Sequence, residues 1–291
     1  MVQFDKSITS IGNPIWDSIN IEANAVLSSQ REMSSLIYSS ILNHKNLESV
    51  LSYRLAQKLS TSDMSEAILN EIVLKSYLAD SNLIDNAYSD IKAGKSSKIL
   101  VISPEITSGH NNFKNRDGHF IFGDVCTAVV IEKNSKAKNK FRIVDTKLKT
   151  AFSNNIRNNF GYMNAIEDKN YSESEQLFFQ NGRRVFKEVM PFVSSLILDQ
   201  LNEQNLLPEN IERYWLHQAN INMNAYVIKK LLGDNFSPAR APIILDEYAN
   251  TSSAGSIIAF HKHNHLEKGQ KGIICSFGAG YSICSILLEK A

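Results

Sequence analysis

A chain of 291 residues that is 43% hydrophobic has enough apolar material for a large core, or for two fused halves. Its net charge of +1 excludes a global field that would draw it to nucleic acid or to a membrane surface, and no apolar run approaches the ~18 residues of a spanning helix. Three cysteines, Cys126, Cys275 and Cys284, lie in or beside apolar runs without CxxC spacing, and the opening MVQFDKSITSIG has no basic-then-apolar leader; both predict reduced, buried thiols and a cytoplasmic protein.

In chain order, LSSQREMSSLIYSSIL and LESVLSYRLAQKL space their apolar residues at three and four and predict helices. AILNEIVLKSYLADSNLIDNAYSDIKAG reads as one helix, or as a short buried strand (ILNEIVL) followed by a helix. KILVISPEI is a β-branched strand. HFIFGDVCTAVVIEK predicts two strands or one bulged strand, broken at Gly123-Asp124. FRIVDTKLK is a further strand, followed by the Asn-rich loop FSNNIRNNFGYMN. The segment SESEQLFFQNGRRVFKEVMPFVSSLILDQLNEQ predicts a long helix interrupted near Pro191. IERYWLHQ is a strand, and ANINMNAYVIKKLLG a helix closed by Gly233. TSSAGSIIAFHKHNHLEKG is a helix capped near Thr251 or Ser252 and closed by Gly269. KGIICSFGAG and YSICSILLEK are two apolar strands around a small-residue turn. Helices alternating with buried strands predict a layered α/β fold.

Three motifs follow one another in the second half: WLHQAN (215–220), NTSSAGS (250–256) and SFGAGY (276–281). Each puts polar or small residues at the end of a buried strand or the start of the next helix, where α/β proteins collect their sites. The trio resembles the HQAN, NTS and Gly-rich signatures of the β-ketoacyl-[acyl carrier protein] synthase III family. SPEITSGHNNFKNRDGHFIFGD and FSNNIRNNFG are similar to segments of a subgroup that uses longer acyl chains, and the likeness runs over roughly residues 85–291. It implies a thiolase-like, α-β-α-β-α layered fold of two related halves, residues 1–150 and 151–291, with the N-terminal half shortened. It also implies roles. His217 and Asn250 would be neutral donors to the enolate left when a malonyl thioester loses carbon dioxide, a task that needs no buried full charge. The Ala279 N–H would belong to an oxyanion hole in the Gly278–Gly280 turn, and Phe277 would border the malonyl pocket.

The family's nucleophilic cysteine opens the helix before the strand equivalent to KILVISPEI. Counting back from Gly94 puts that site at Tyr77, or at Ser76 with a shift of one. No cysteine precedes Cys126, and a phenol with pKa near 10 is a poor thioester acceptor. The expectation is a non-catalytic ketosynthase III-like subunit of fatty acid or polyketide-type biosynthesis. It would form a heterodimer with a cysteine-bearing paralogue, or a homodimer, with acyl or malonyl thioesters as ligands and acyl carrier protein as a further partner. The alternative is an acyltransferase using Ser76, or a malonyl-thioester decarboxylase using only His217 and Asn250. No cofactor and no metal is expected. His261, His263 and His265 put only their outer pair on one helix face and read as a solvated helix end. Arg183, Arg184, Lys187, Lys229 and Lys230 read as ordinary charged helix faces, with a carrier-docking patch as the second reading.

Overall fold

A computed structural model of the chain describes residues 72–76, 82–105, 107–116, 118–134, 141–157, 177–234 and 236–291. The helices read within residues 27–59, and Tyr77, lie outside the described residues. The chain divides into two compact units: residues 1–106 with 124–137, and residues 107–123 with 138–291. Residue 150 falls inside a strand of the second unit.

In the first unit, β1 (Ile72–Ser76), α1 (Asn82–Lys92) and β2 (Lys98–Glu105) form a crossover that returns parallel, and β3 (Val125–Glu132) adds antiparallel to β2. The strand-then-helix alternative therefore holds, with the strand a few residues later than ILNEIVL. The helix buries Leu83, Ile84 and Ala87, and β2 buries alternate residues Ile99, Val101, Ser103 and Glu105. The break before β3 falls at Gly123-Asp124.

The second unit is built on a four-stranded sheet in the order β4 (Phe141–Ser153), β9 (Gly280–Lys290), β8 (Lys271–Gly278), β7 (Ile211–Leu216). A small ribbon, β5 (Ile156–Arg157) with β6 (Phe179–Gln180), lies beside α2 (Gly182–Glu203) in sequence. Val185, Val189, Val193, Leu196, Ile197 and Leu201 of α2 recur at helical spacing and pack into one core with Val227, Ile228, Ile273, Ile283 and Leu287. The predicted interruption of α2 does not occur: Pro191 sits inside a continuous helix. Pro191 and Lys187, whose carbonyl loses its partner, both lie on the exposed face, where water can satisfy that oxygen. The helix also starts later than the periodicity of SESEQLFF implied, because Asn181 caps it and Phe179–Gln180 pair with β5.

α3 (Ile221–Leu232) runs from its Asn220 cap to Gly233, whose φ of +77° closes it as predicted. After the short α4 (Leu245–Tyr248) comes α5 (Ala254–Lys262), which begins after Ser253 and stops well before Gly269. The cause is Trp215: its fully buried indole donates from Nε1 to the His263 carbonyl at 3.1 Å, drawing the chain off the helix axis. Gly269, with φ +83°, instead serves the turn into β8, donating its N–H to the Lys290 carbonyl.

Candidate active site

The site begins where β7 ends. Leu216 pairs with Cys275 of β8, and the next residue keeps the register for one more bond: the His217 N–H donates to the Cys275 carbonyl at 2.8 Å. This places the His217 ring beside the far end of β8. There the ring centroid lies 4.5 Å from that of Phe277, and Nδ1 lies 3.2 Å from the Ser276 hydroxyl. His217 is buried, and loss of water pushes its pKa down to about 4, against a weaker upward pull from a hydrogen bond with the Ser252 backbone. At neutral pH it is an uncharged imidazole, as a donor to a developing enolate should be.

The rest of the HQAN motif is structural. Gln218, fully buried, donates from Nε2 to the Leu216 and Pro242 carbonyls and accepts from the Ile244 N–H. It staples the end of β7 to the segment that leads into the NTS loop. Asn220 caps α3, accepting from the Asn222 N–H at 2.8 Å. Gly255 permits this fit, because a Cβ there would stand 2.9 Å from the Gln218 Cβ.

Asn250 is held from both sides. Its N–H donates to the Ile121 carbonyl and its carbonyl accepts from the Gly123 N–H. Gly123 has to be glycine: a Cβ there would meet the Tyr248 carbonyl oxygen at 2.5 Å. The side chain is fixed as well, since Asn250 Oδ1 accepts from the Ser252 N–H at 3.0 Å. With the oxygen so occupied, the Nδ2 amide is the free, donating end. Ser252 thus touches both members of the pair, through its hydrogen bonds with Asn250 and with the His217 ring. The loop is bent tightly: Ala249 and Ser252 take φ of +57° and +52°.

The glycine turn completes the arrangement. Gly278 pairs with Ser282 and leaves Ala279 exposed in the turn, outside the ladder. The turn is tied down by Tyr281, whose hydroxyl donates to Glu188 of α2 at 2.6 Å, while Asn155 donates to both oxygens of the same carboxylate. These bonds, that of Tyr281 foremost, hold the Glu188 carboxyl below its ordinary range. A cavity of about 500 Å³ opens at the start of α2, lined in part by Asn111, Asn112, Asn115, Asn181 and Arg183. Its Phe178 wall packs edge-on against Phe122, at 5.0 Å between centroids, and Phe122 bridges Asn250 through its backbone.

The structure therefore brings His217, Asn250 and Phe277 together, with the Gly278–Gly280 turn following directly on Phe277 in β8. Ser76 is the last residue of β1, ahead of α1, in the other unit. None of the cysteines is placed as a nucleophile. All three are buried, and burial pushes the thiols of Cys126 and Cys275 up to about 12. Among the described residues no three His, Cys, Asp or Glu side chains are placed to hold a metal, His261, His263 and His265 included. No described helix is long and apolar enough to cross a membrane. Ser276, Ser252 and Gly123 join the site without a role that the sequence assigns them. Only Ser276 carried a signal, as a polar residue inside the apolar run of KGIICSFG.

Comparisons with known proteins bear on the family and the fold. The family described as 3-oxoacyl-[acyl-carrier-protein] synthase III matches residues 82–151, and its C-terminal part matches 201–290. A β-ketodecanoyl-[acyl-carrier-protein] synthase of Pseudomonas aeruginosa is 50% identical over 210 residues, 71% of this chain and 60% of that protein. The 3-oxoacyl-[acyl-carrier-protein] synthase III of Aquifex aeolicus superposes with a TM-score of 0.59 at 25% identity, over 71% of this chain and 62% of that one. The priming β-ketosynthase of a polyketide biosynthetic pathway shares the fold with a TM-score of 0.62 at 20% identity, over 72% of this chain and 62% of that one. The chain spans about 60% of the length of the curated relatives it matches. Residues 15–98 match a different description, the N-terminal part of serine acetyltransferase. Positions 76 and 77 lie ahead of the synthase match, which begins at residue 82.

Proposed function

The chain belongs, through matches at residues 82–151 and 201–290, to the β-ketoacyl-[acyl carrier protein] synthase III family, and from that premise we propose that it is a ketosynthase III-like protein without an acyl-cysteine of its own. It would act as a subunit paired with a cysteine-bearing ketosynthase, or with itself, in fatty acid or polyketide-type biosynthesis. The observation that carries the reading is a contrast. His217 and Asn250, read as the enolate donors, are both linked to Ser252, while all three cysteines are buried and burial raises the thiols of Cys126 and Cys275. A thiol with a pKa of about 12 is thiolate in only about one molecule in 10⁴ at pH 8, too little for transthioesterification.

Coexpression of the chain with a cysteine-bearing synthase III, followed by copurification and native mass measurement, tests the pairing. A 1:1 complex supports it; two separately eluting homo-oligomers overturn it. The Ser76 route is tested on the chain alone with radiolabelled octanoyl thioester, the acyl group that gains two malonyl carbons to give the ketodecanoyl product in the name of the Pseudomonas relative. Label that survives denaturation and is lost in Ser76→Ala would establish a serine nucleophile. The pairing reading expects none.

A second reading is favoured by the intact donor pair: decarboxylation of a malonyl thioester without an acyl-enzyme. The bond between the malonyl methylene carbon and its carboxylate breaks and carbon dioxide leaves. The electron pair passes into the enolate, whose thioester oxygen accepts from His217 Nε2–H and Asn250 Nδ2–H. Water then protonates the carbon to give an acetyl thioester. Mass detection of acetyl thioester from the malonyl compound, absent in a His217→Ala/Asn250→Ala double variant, is the expected result. Equal rates in the two proteins would discard this reading.

A further inference from the structure

Among the described residues, Ser276 is the one whose side chain is hydrogen-bonded to the His217 ring. It lies in the apolar run Ile273-Ile274-Cys275-Ser276-Phe277 of β8, only 1% exposed, and its Oγ stands 3.2 Å from His217 Nδ1. Among the described residues this is the only side-chain hydrogen bond Ser276 makes. A buried hydroxyl carries one proton, and leaving it without an acceptor is costly. Two polarities are conceivable. If Nδ1 carried the ring proton, it would donate to Oγ, and the serine proton would point into the packed interior with nothing to receive it. If Nδ1 is bare, the serine donates to it and both groups are satisfied, with the ring proton on Nε2. The Ser252 backbone also meets the ring, and that contact favours its protonated form.

We infer that the Ser276 hydroxyl sets the tautomer of His217, keeping Nδ1 unprotonated and the proton on Nε2, and is the positioning residue of the donor pair. This rests on the reading of His217 as an enolate donor for its purpose, but not for its geometry. The main chain makes the arrangement rigid: the His217 N–H is bound to the Cys275 carbonyl, one residue from Ser276, so ring and hydroxyl are carried by adjacent, hydrogen-bonded strand ends. Ser276 itself is paired with Cys284 in the β8–β9 ladder, which leaves the serine little freedom to turn away. In a burial this complete, an imidazole without a partner on Nδ1 would divide its proton between the two nitrogens, and part of the population would present a lone pair where the enolate needs a donor.

The test needs no turnover. The full chain is labelled with ¹⁵N, and long-range ¹H–¹⁵N correlations of its imidazoles are recorded at pH 7, with the His217 signals identified by their loss in His217→Gln. The expected pattern is the Nε2–H tautomer in the wild-type chain and in Ser276→Thr, which keeps the hydroxyl. In Ser276→Ala the two nitrogen shifts should move toward each other as the tautomers mix. An Nδ1–H pattern in the wild type overturns the inference, and so does an unchanged pattern in Ser276→Ala. Should the alanine variant not fold, the wild-type spectrum alone decides between the two polarities. The malonyl assay is run on the same samples. An Nε2–H tautomer with no decarboxylation would sink the functional reading and leave the tautomer assignment standing, so the two fail separately.

Discussion

Protonating His217 should destabilise the fold by an amount that its burial fixes. An unperturbed histidine has a pKa near 6.5, whereas desolvation holds this one at about 4 in the folded chain. Because the folded value is the lower one, the unfolded chain binds the proton more tightly at every pH between the two. Stability is therefore complete above about pH 6.5, falls as the pH drops through the interval, and levels off below about 4. The linkage relation gives a loss of about 2 kcal/mol between pH 7 and pH 5, and about 3 kcal/mol once the histidine is protonated in both states. Other groups titrate over the same range, so the quantity to measure is a difference. Urea unfolding of the wild type and of His217→Gln is followed at pH 7, 6 and 5, and the variant's pH slope is subtracted from that of the wild type. A residual slope equivalent to about 2 kcal/mol is expected. Parallel curves, or a His217 resonance titrating near pH 6.5, would show that water reaches the ring and that the donor is not held neutral by burial.

Three further outcomes are expected. A thiol reagent at pH 8 should modify almost none of the three cysteines until denaturant is added, and then all three, since each is buried; rapid reaction of one thiol in the native chain would reinstate a nucleophile. Gly272→Ala should lower stability by about 2–3 kcal/mol in urea unfolding, because the new methyl would overlap the buried six-membered ring of Trp215 and crowd the Arg213 carbonyl; an unchanged midpoint would mean that Trp215 is not packed there. Ala249→Gly should raise the thermal midpoint, because Ala249 sits at φ +57°, ψ −158°, a region that suits glycine. Relief of about 1–3 kcal/mol of strain outweighs the entropy of the added glycine, and a lowered midpoint would refute the strain.

Much of the second unit could be read from residues whose local chemistry decides their conformation. Asn220 and Gly233 bound α3 because an Asn cap and a left-handed glycine act within one turn of chain. The elements that departed from expectation did so through distant partners. α5 ends at Lys262 because Trp215, 48 residues earlier, takes the His263 carbonyl. Pro191 leaves α2 intact because the helix face it occupies turns out to be the wet one. His217 and Asn250 were legible as motif residues. The contacts that fix them, from Ser276, Ser252 and Gly123, are made across strands and loops and leave no trace in local spacing. Ahead of residue 82, apolar residues at three and four announce amphipathic helices and nothing about kinship. The same pattern serves the start of a thiolase-like half and the serine acetyltransferase segment matched at residues 15–98.

The residues that hold the donor pair all belong to one compact unit. His217 hangs on β7 and β8, Asn250 is clasped by Ile121 and Gly123, Ser252 links the two, and the glycine turn is moored to α2 through Tyr281 and Glu188. Every one of these contacts is made among residues 121–123 and 155–281. Ser76, one of the candidate nucleophile positions, belongs to the other unit. The burial that keeps His217 neutral, a ring facing a buried hydroxyl, is built within that one unit. On the proposed reading, loss of a thiol from the first unit would remove the covalent half of condensation and leave the decarboxylating half without any local reason to decay. For that reason an intact His217 is weak evidence for full ketosynthase activity. An assay that separates carbon dioxide release from carbon–carbon bond formation tests whether this chain carries either half of that chemistry.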